Sequence, residues 1–261
     1  MDWGNIVQQL IYLWTQYLVP LMNILQQLLV GLWAAVQLFA LTLVFSLPLG
    51  LLVALGRMSS WAPLRRLGSK PESTGKALGK TILALRRFKP VQLFVKFFIS
   101  ILRGTPLMLQ MMVVYFGPYY VFHVSLSGYS RLLAAVIAFS INYAAYFAEI
   151  YRSGIQSIPQ GQYEAAQVLG YSRGQTFFKI ILPQMVKRVL PAITNEVITL
   201  VKDTSLAFVI AYQEMFTIAK QISAAKTTIM PLFVAGVFYF IFNSVVAWIM
   251  ERIEKRMNYY S

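Results

Sequence analysis

Charged residues lie inside long apolar stretches of this 261-residue chain, at Arg103, Glu149, Glu196, Lys202 and Asp203. A charge at the centre of a membrane helix costs about 2.5 to 3.5 kcal/mol on insertion scales, so such residues usually face a cavity or a partner. A guanidinium can bind a carboxylate through two parallel hydrogen bonds, and a carboxylate can hold an ammonium group. These positions therefore point to binding chemistry or to ion pairs within the protein.

The chain has little equipment for catalysis. It contains no cysteine, and His123 is its single histidine, so disulfides, thiol chemistry and the usual zinc or non-haem iron sites are not expected. The sequence has no clustered carboxylates and no Walker motif. We predict no catalytic residues, no metal site and no cofactor bound by this chain.

The composition is that of an integral membrane protein. Hydrophobic residues make up 58% of the chain and charged residues only 12%, and the mean hydropathy is +0.61. The net charge of +14 could suggest a nucleic-acid partner, but the basic residues punctuate apolar runs and do not form a solvated face. We therefore predict an all-α membrane protein that binds no nucleic acid.

The apolar runs predict about five transmembrane helices in a domain over residues 28–256. At about 1.5 Å per residue, each run is long enough to cross ~30 Å of hydrocarbon. An amphipathic helix in the membrane interface is predicted over residues 1–20, because apolar side chains repeat there at helical spacing. The predicted spans run from about Leu28 to Gly56, Val91 to Tyr120, Arg131 to Tyr151, Val189 to Tyr212 and Ile229 to Met250.

Basic residues set the predicted orientation. Most of the 23 Lys and Arg residues fall in the loop 57–89, the segment 152–188 and the tail after Met250. By the positive-inside bias these regions are cytoplasmic, so the N-terminus lies outside and the C-terminus inside. The loop 57–89 either binds anionic lipid or is a solvated insertion.

The segment 157–183 carries helix-capping signals. Ser157, Pro159 and Gln160 predict the start of a short helix that Gly170 ends. Ser172 and Gln175 repeat the capping pattern, and Pro183 predicts the end of a second helix. Small residues let another surface approach the first helix closely, although a plain surface loop would also fit.

At this segment the chain resembles a known family, the permease subunits of bacterial ATP-binding cassette (ABC) importers. Glu164-Ala165-Ala166, three residues and Gly170, followed by Ile180-Ile181-Leu182-Pro183, resemble the EAA loop of those permeases, whose helix inserts into the ATPase subunit. Other stretches are similar to the polar amino acid branch (the histidine, glutamine and arginine type): Arg103-Gly104-Thr105-Pro106, the run from Tyr146 to Ile158, and the run from Asn195 to Ser205.

The resemblance implies a type I importer in a bacterial cytoplasmic membrane, working by alternating access. Two permease subunits, the same or homologous, would stand on two ATPase subunits that use ATP and magnesium. An extracytoplasmic binding protein would deliver a polar amino acid. Glu164, Ala165, Ala166 and Gly170 would couple the chain to the ATPase.

A zwitterionic substrate needs a donor for its carboxylate and an acceptor for its ammonium group. We predict that Arg103 and Thr105 bind the carboxylate, and that Asn142 or Glu149, two turns apart on one helix face, meets the ammonium group. Asp203 and Ser205 lie in the run from Lys202 to Ser205, whose residue types suit N-caps and so predict a helix break. Broken helices at membrane depth commonly line substrate cavities.

Other interpretations stay open from the sequence alone. Arg103 could snorkel to lipid phosphates, Glu149 could pair with Arg152, and Lys202 could neutralise Asp203 or Glu196. An ion-coupled secondary transporter of amino acids is the alternative function, and a membrane enzyme would lack an obvious site.

Overall fold

The computed structural model describes residues 19–59, 89–123 and 130–257, together with the isolated positions 8, 14 and 16. Within these ranges the regular structure is helical, without strands, which confirms the all-α prediction. The α-helices are α1 (Val19–Arg57), α2 (Pro90–Gly104), α3 (Leu107–Phe122), α4 (Arg131–Gln156), α5 (Gln160–Val168), α6 (Arg173–Thr176), α7 (Leu182–Asp203), α8 (Met215–Lys226) and α9 (Met230–Met257).

Three helices are long and apolar enough to cross a membrane unaided: α1, α4 and α9. They contain the first, third and fifth predicted spans. The second predicted span is instead two helices, α2 and α3, which pass the same test only together and are bent by 107°. The bend falls at Pro106, because proline has no backbone N–H to continue the helical ladder.

The fourth predicted span, Val189 to Tyr212, falls on α7 and a following 3-10 helix, Thr204–Ile210. It does not qualify as an apolar span by length and hydropathy, since α7 carries charged residues along its length. The predicted interfacial helix over residues 1–20 and the basic loop 57–89 lie almost wholly outside the described residues.

The chain divides into two compact units. The first comprises residues 1–43, 107–139 and 194–261, and the second residues 44–106 and 140–193. The core of the first unit joins α1, α8 and α9 through Leu28, Met215 and Ala235. Gly31 brings α1 against the backbone of α8, since an added Cβ would lie 2.6 Å from the Met215 Cα.

In the second unit, a glycine sets the approach of α4 to α7. A Cβ at Gly154 would lie 2.1 Å from Val189 Cγ1, which is closer than atoms can pack, and 3.1 Å from Met185 Cγ, which is a tight contact. Only glycine, whose side chain is a hydrogen atom, therefore fits at position 154. The contact holds α4, which precedes the segment 157–183, against α7, which follows it.

We expect Gly154→Ala to lower the free energy of unfolding by about 1 to 3 kcal/mol, because the added methyl group overpacks the contact with Val189. Thermal unfolding of the detergent-purified protein measures the change. Val189→Ala in the same chain should restore much of the loss by removing the opposing methyl groups.

Gly236→Ala is the control, since a Cβ there meets nothing within 4 Å. Equal melting temperatures for the Gly154 and Gly236 variants would contradict the close approach of α4 and α7.

Candidate functional site

The segment between α4 and α7, called the coupling loop below (residues 157–183), begins differently from the prediction. Helix α5 starts at Gln160 after Pro159, without a side-chain cap. The predicted Ser157 cap is therefore wrong: Ser157 directly follows α4, its N–H donates to the Ser153 carbonyl at 3.0 Å, and its hydroxyl donates to the Gly154 carbonyl at 2.7 Å. The Arg188 guanidinium donates to both the Ser157 carbonyl and hydroxyl, which ties the entry of the loop to α7.

The end of α5 is a Schellman turn around Gly170, as predicted. Gly170 has φ +75°, a left-handed conformation that glycine adopts at low cost. The Tyr171 N–H donates to the Ala166 carbonyl and the Gly170 N–H to the Gln167 carbonyl, each at 3.0 Å. The helix is therefore ended by a rigid turn.

The second half of the loop confirms one prediction and corrects another. Ser172 and Gln175 form the predicted capping box, in which each side chain accepts a backbone N–H of the other residue, at 2.9 and 3.3 Å. The prediction that Pro183 ends the second helix is wrong. A π turn, Phe177–Ile181, runs directly into α7, and Pro183 lies in the first turn of α7, where a missing N–H costs least.

The coupling loop exposes both small and apolar side chains. In α5, Ala166 is buried while Glu164 and Ala165 are exposed. Val168 and Leu169 are 87% and 70% exposed, which is unusual for neighbouring aliphatic residues on a short helix next to a turn. Such a surface is typical of a docking site for another protein.

On its inner side the coupling loop borders a cavity of 650 Å³ within the second unit. The end of α1 contributes Leu55 and Met58 to the wall, and the loop contributes Tyr163 and Gln167. Burial raises the pKa of the Tyr163 phenol above its ordinary value. The coupling loop is thus attached to α7 through Arg188, and this cavity lies between the loop and the end of α1.

Glu149 lies in an ion-pair cluster near the C-terminal end of α4, which the sequence predicts to be cytoplasmic. Its carboxylate accepts hydrogen bonds from Arg152 at 2.6 and 2.9 Å and lies 3.5 Å from the Arg57 guanidinium. The pair with Arg152 is the alternative that the sequence left open, and Arg57 joins it from the end of α1. Arg152 also donates to Gln156 at 2.7 Å.

Arg103, Thr105 and Asn142 gather at the bend between α2 and α3. The Arg103 guanidinium lies over the Tyr146 ring, 5.0 Å from its centroid, and Thr105 donates to the Ile101 carbonyl at 2.8 Å. The buried Asn142 amide donates to the Leu102 carbonyl at 3.1 Å.

The hydrogen bond from Asn142 to the Leu102 carbonyl has a clear cause. Leu102 lies four residues before Pro106, so the helical donor for its carbonyl is missing. Asn142 of α4 supplies the donor instead. The asparagine that the sequence assigned to substrate binding thus also stabilises the bend that carries Arg103.

Asp203 and Ser205 belong to the first unit, whereas the other predicted substrate residues belong to the second. The α-helix ends at Asp203, in the predicted run, but the chain is not broken there and continues directly as a 3-10 helix from Thr204. The capping assignment is wrong: Thr204 and Ser205 donate backwards to the carbonyls of Val201 and Lys202, each at 2.7 Å.

Sequence analysis missed Glu214, which is fully buried and caps the start of α8. Its carboxylate accepts from the Phe216 and Thr217 backbone N–H groups, from the Thr217 hydroxyl and from the Tyr239 hydroxyl, at 2.6 to 2.8 Å. An isolated acid directly before an apolar helix was the available signal. The Tyr239 contact, 25 residues further along, had none.

The described part of the chain is helical and carries a capped, exposed loop between two long helices, and comparisons with known proteins show the class of protein to which it belongs. Residues 80–259 match the family described as "Binding-protein-dependent transport system inner membrane component". The chain is 38% identical to the arginine transport system permease protein ArtQ of Bacillus subtilis (strain 168) over 68% of this chain and 80% of that one. It is 32% identical to the L-cystine transport system permease protein TcyB of the same organism, over 88% and 86%.

Among solved structures, an amino acid ABC transporter crystallised with histidines matches with a TM-score of 0.73 and 27% identity, over 91% of this chain and 97% of that one. The chain therefore belongs to the binding-protein-dependent transport system inner membrane component family, the permeases of ABC importers. It is a multi-pass membrane protein. These comparisons leave the ion-coupled alternative without support.

We expect Asn142→Ala to lower the free energy of unfolding by about 1 to 3 kcal/mol, because the part-buried Leu102 carbonyl then loses this donor. In a Pro106→Ala background the loss should be smaller, since residue 106 regains an N–H for that carbonyl. A double-mutant cycle by thermal unfolding measures the difference. Full additivity of the two substitutions would contradict the link between Asn142 and the proline bend.

Proposed function

We propose that this chain is the membrane-spanning subunit of an ATP-driven importer that moves a polar amino acid into the cell. The coupling loop is the observation that carries the proposal. Two long helices, α4 and α7, are clamped together at Gly154, and the loop between them is rigidified at Ser157, Gly170 and Ser172. A rigid loop on a rigid helix pair can transmit movement from a docked protein into the membrane.

The docked protein is an ATPase subunit, which holds ATP and magnesium. Val168 and Leu169 supply apolar contact area, and Glu164 and Ala165 lie on the exposed side of α5, where small side chains permit close approach. The coupling loop is then cytoplasmic, which agrees with the positive-inside bias and puts the C-terminus inside and the N-terminus outside. A second permease subunit and an external binding protein complete the complex.

The substrate class follows from the relatives and from the polar residues at the helix breaks. Arg103 and Thr105 are exposed, and the Tyr146 ring supports one face of the Arg103 guanidinium. Within the described part of the chain the guanidinium makes no hydrogen bond, so its N–H edge can bind a carboxylate. Asp203 and Ser205, at the end of α7 in the first unit, are proposed to line the substrate path. Asn142 and Glu149 contribute by holding the bend and the end of α4.

Reconstitution into liposomes tests the whole proposal. The chain with its ATPase and binding protein should take up one of arginine, glutamine, histidine or cystine only when ATP is supplied on the ATPase side. Uptake by the chain without the ATPase would contradict the proposal. Gly170→Ala should weaken the stimulation of ATP hydrolysis by loaded binding protein, because a Cβ at φ +75° costs about 1 to 2 kcal/mol and loosens the turn.

Two substitutions serve as controls for Gly170→Ala. Gly170→Asn should keep most of the coupling, since asparagine tolerates the left-handed region. Gly161→Ala, also in the coupling loop, adds a Cβ into open space and should couple normally.

Arg103→Ala should lower the transport efficiency, kcat/KM, by about 10- to 100-fold, which corresponds to the loss of a charge-assisted hydrogen bond. Arg103→Lys should be intermediate, because an ammonium keeps the charge but not the planar fork. The matched control is Arg252→Ala, since Arg252 also lies over an aromatic ring, 4.9 Å from the centroid of Trp248. Unchanged transport by Arg103→Ala in an assembled complex would remove Arg103 from the substrate path.

A further inference from the structure

The cavity between the coupling loop and α1 has an apolar side and a polar side. Leu55 and Met58 at the end of α1 and Ile155 at the end of α4 form the apolar side. The coupling loop contributes Tyr163 and, at the start of α6, Arg173. The volume of 650 Å³ falls within the range of about 300 to 1,000 Å³ that is usual for sites of organic ligands. A ligand that fills this cavity joins an apolar part to a polar one.

The apolar side of the cavity continues an exposed surface of α1. Leu52 and Leu55 are three residues apart, so they share one side of the helix, and they are 65% and 41% exposed. Helix α1 is long and apolar enough to cross a membrane, so the bilayer can cover these side chains. Leu55 belongs both to this surface and to the wall of the cavity. A lipid acyl chain that lies along α1 can therefore reach the cavity over apolar side chains.

The polar side of the cavity is cationic. Within the described part of the chain, the Arg173 guanidinium makes no hydrogen bond and no ion pair. The Lys179 ammonium lies 5.8 Å from the ring centroid of Tyr171, which lines the cavity, and no described acid pairs with it either. Glu164 is the only acidic residue of the coupling loop, and it forms no ion pair with the described residues. The polar part of the ligand is therefore an anion, and phosphate suits both side chains.

We propose that the cavity binds an anionic phospholipid of the surrounding bilayer, with the phosphate on Arg173 and an acyl chain against Leu55 and Ile155. The lipid fills the space behind the coupling loop and supports the loop when the ATPase docks on its exposed side. The orientation proposed above puts the cavity at the cytoplasmic surface, where anionic headgroups are found. This location and the effect on coupling rest on the proposed function, whereas the lipid site rests on the cavity alone.

A lipid titration of the purified full-length chain tests the site. Phosphatidylglycerol, added to the chain in neutral detergent, should raise the melting temperature to a plateau, whereas phosphatidylcholine, which has no net charge, should raise it little. Arg173→Ala should weaken the apparent affinity for phosphatidylglycerol by about 10-fold, as expected for one lost charge-assisted contact. Arg173→Lys should lose less, because an ammonium also binds phosphate as a point charge.

Two control variants separate this site from the general charge of the protein. Arg252→Ala also removes an exposed arginine on the side predicted to be cytoplasmic, and it should keep the wild-type affinity. Gln167→Trp fills the cavity and leaves every charge in place, so it should weaken binding as Arg173→Ala does. Gln160→Trp places the same ring on α5 outside the cavity lining and should bind normally.

The same titration distinguishes a lipid from a soluble anion. Glycerol phosphate, which has the phosphate without acyl chains, should leave the melting temperature unchanged at concentrations at which phosphatidylglycerol saturates. A shift caused by glycerol phosphate alone would overturn the lipid assignment. An equal loss of affinity in the Arg173 and Arg252 variants would also overturn it, because general surface charge would then account for the binding.

The complex in proteoliposomes tests the effect on coupling. ATP hydrolysis stimulated by loaded binding protein should rise with the phosphatidylglycerol fraction of the membrane in the wild type, and much less in Gln167→Trp. Stimulation that is independent of phosphatidylglycerol would overturn the supporting role of the lipid. If loaded binding protein stimulates no hydrolysis in any membrane, the proposed function fails instead, and the titration still decides whether the lipid site exists.

Discussion

Hydrocarbon offers no hydrogen-bonding partner, so each backbone group that a helix break frees must be satisfied from within the chain. The same requirement is met in different ways along this protein. At the proline bend, the Asn142 amide reaches from another helix to the Leu102 carbonyl. At the end of α7, the Thr204 hydroxyl turns back to its own helix, and at the start of α8 the buried Glu214 carboxylate collects the free N–H groups.

Charged groups away from water also need a partner within the chain, and the free-energy penalty for leaving one unpaired is larger than for a peptide group. Glu149 is surrounded by the guanidinium groups of Arg57 and Arg152, which turns a costly carboxylate into a tie between α1 and α4. In the coupling loop, the free backbone groups at the helix ends are satisfied differently. A Schellman turn ends α5, and a capping box begins α6. These devices work in water and keep a protruding loop rigid.

Structural features that depend on residues close together in the sequence were predictable, and features that depend on residues far apart in the sequence were not. Apolar length located α1, α4 and α9, and the residue types at Gly170 and Ser172 gave the correct caps, because these are local. Ser157 was misassigned because α5 begins only at Gln160, after Pro159, and the Ser157 hydroxyl oxygen accepts from the distant Arg188. Hydropathy contains no information about the 107° bend between α2 and α3, and no residue near Glu214 in the sequence indicates its hydrogen bond with Tyr239.

Four of the predicted substrate residues, Arg103, Thr105, Asp203 and Ser205, lie where an α-helix ends, and this has a physical reason. A zwitterion that enters a water-poor path needs donors and acceptors just as a freed peptide group does. A break already brings such groups together and leaves part of the backbone dipole unpaired. Binding polar cargo next to Pro106 or at the end of α7 therefore requires fewer additional buried polar groups than binding it beside an intact helix. If the proposed path passes this bend, Asn142 serves both the backbone, through the Leu102 carbonyl, and the path, and its substitution affects both.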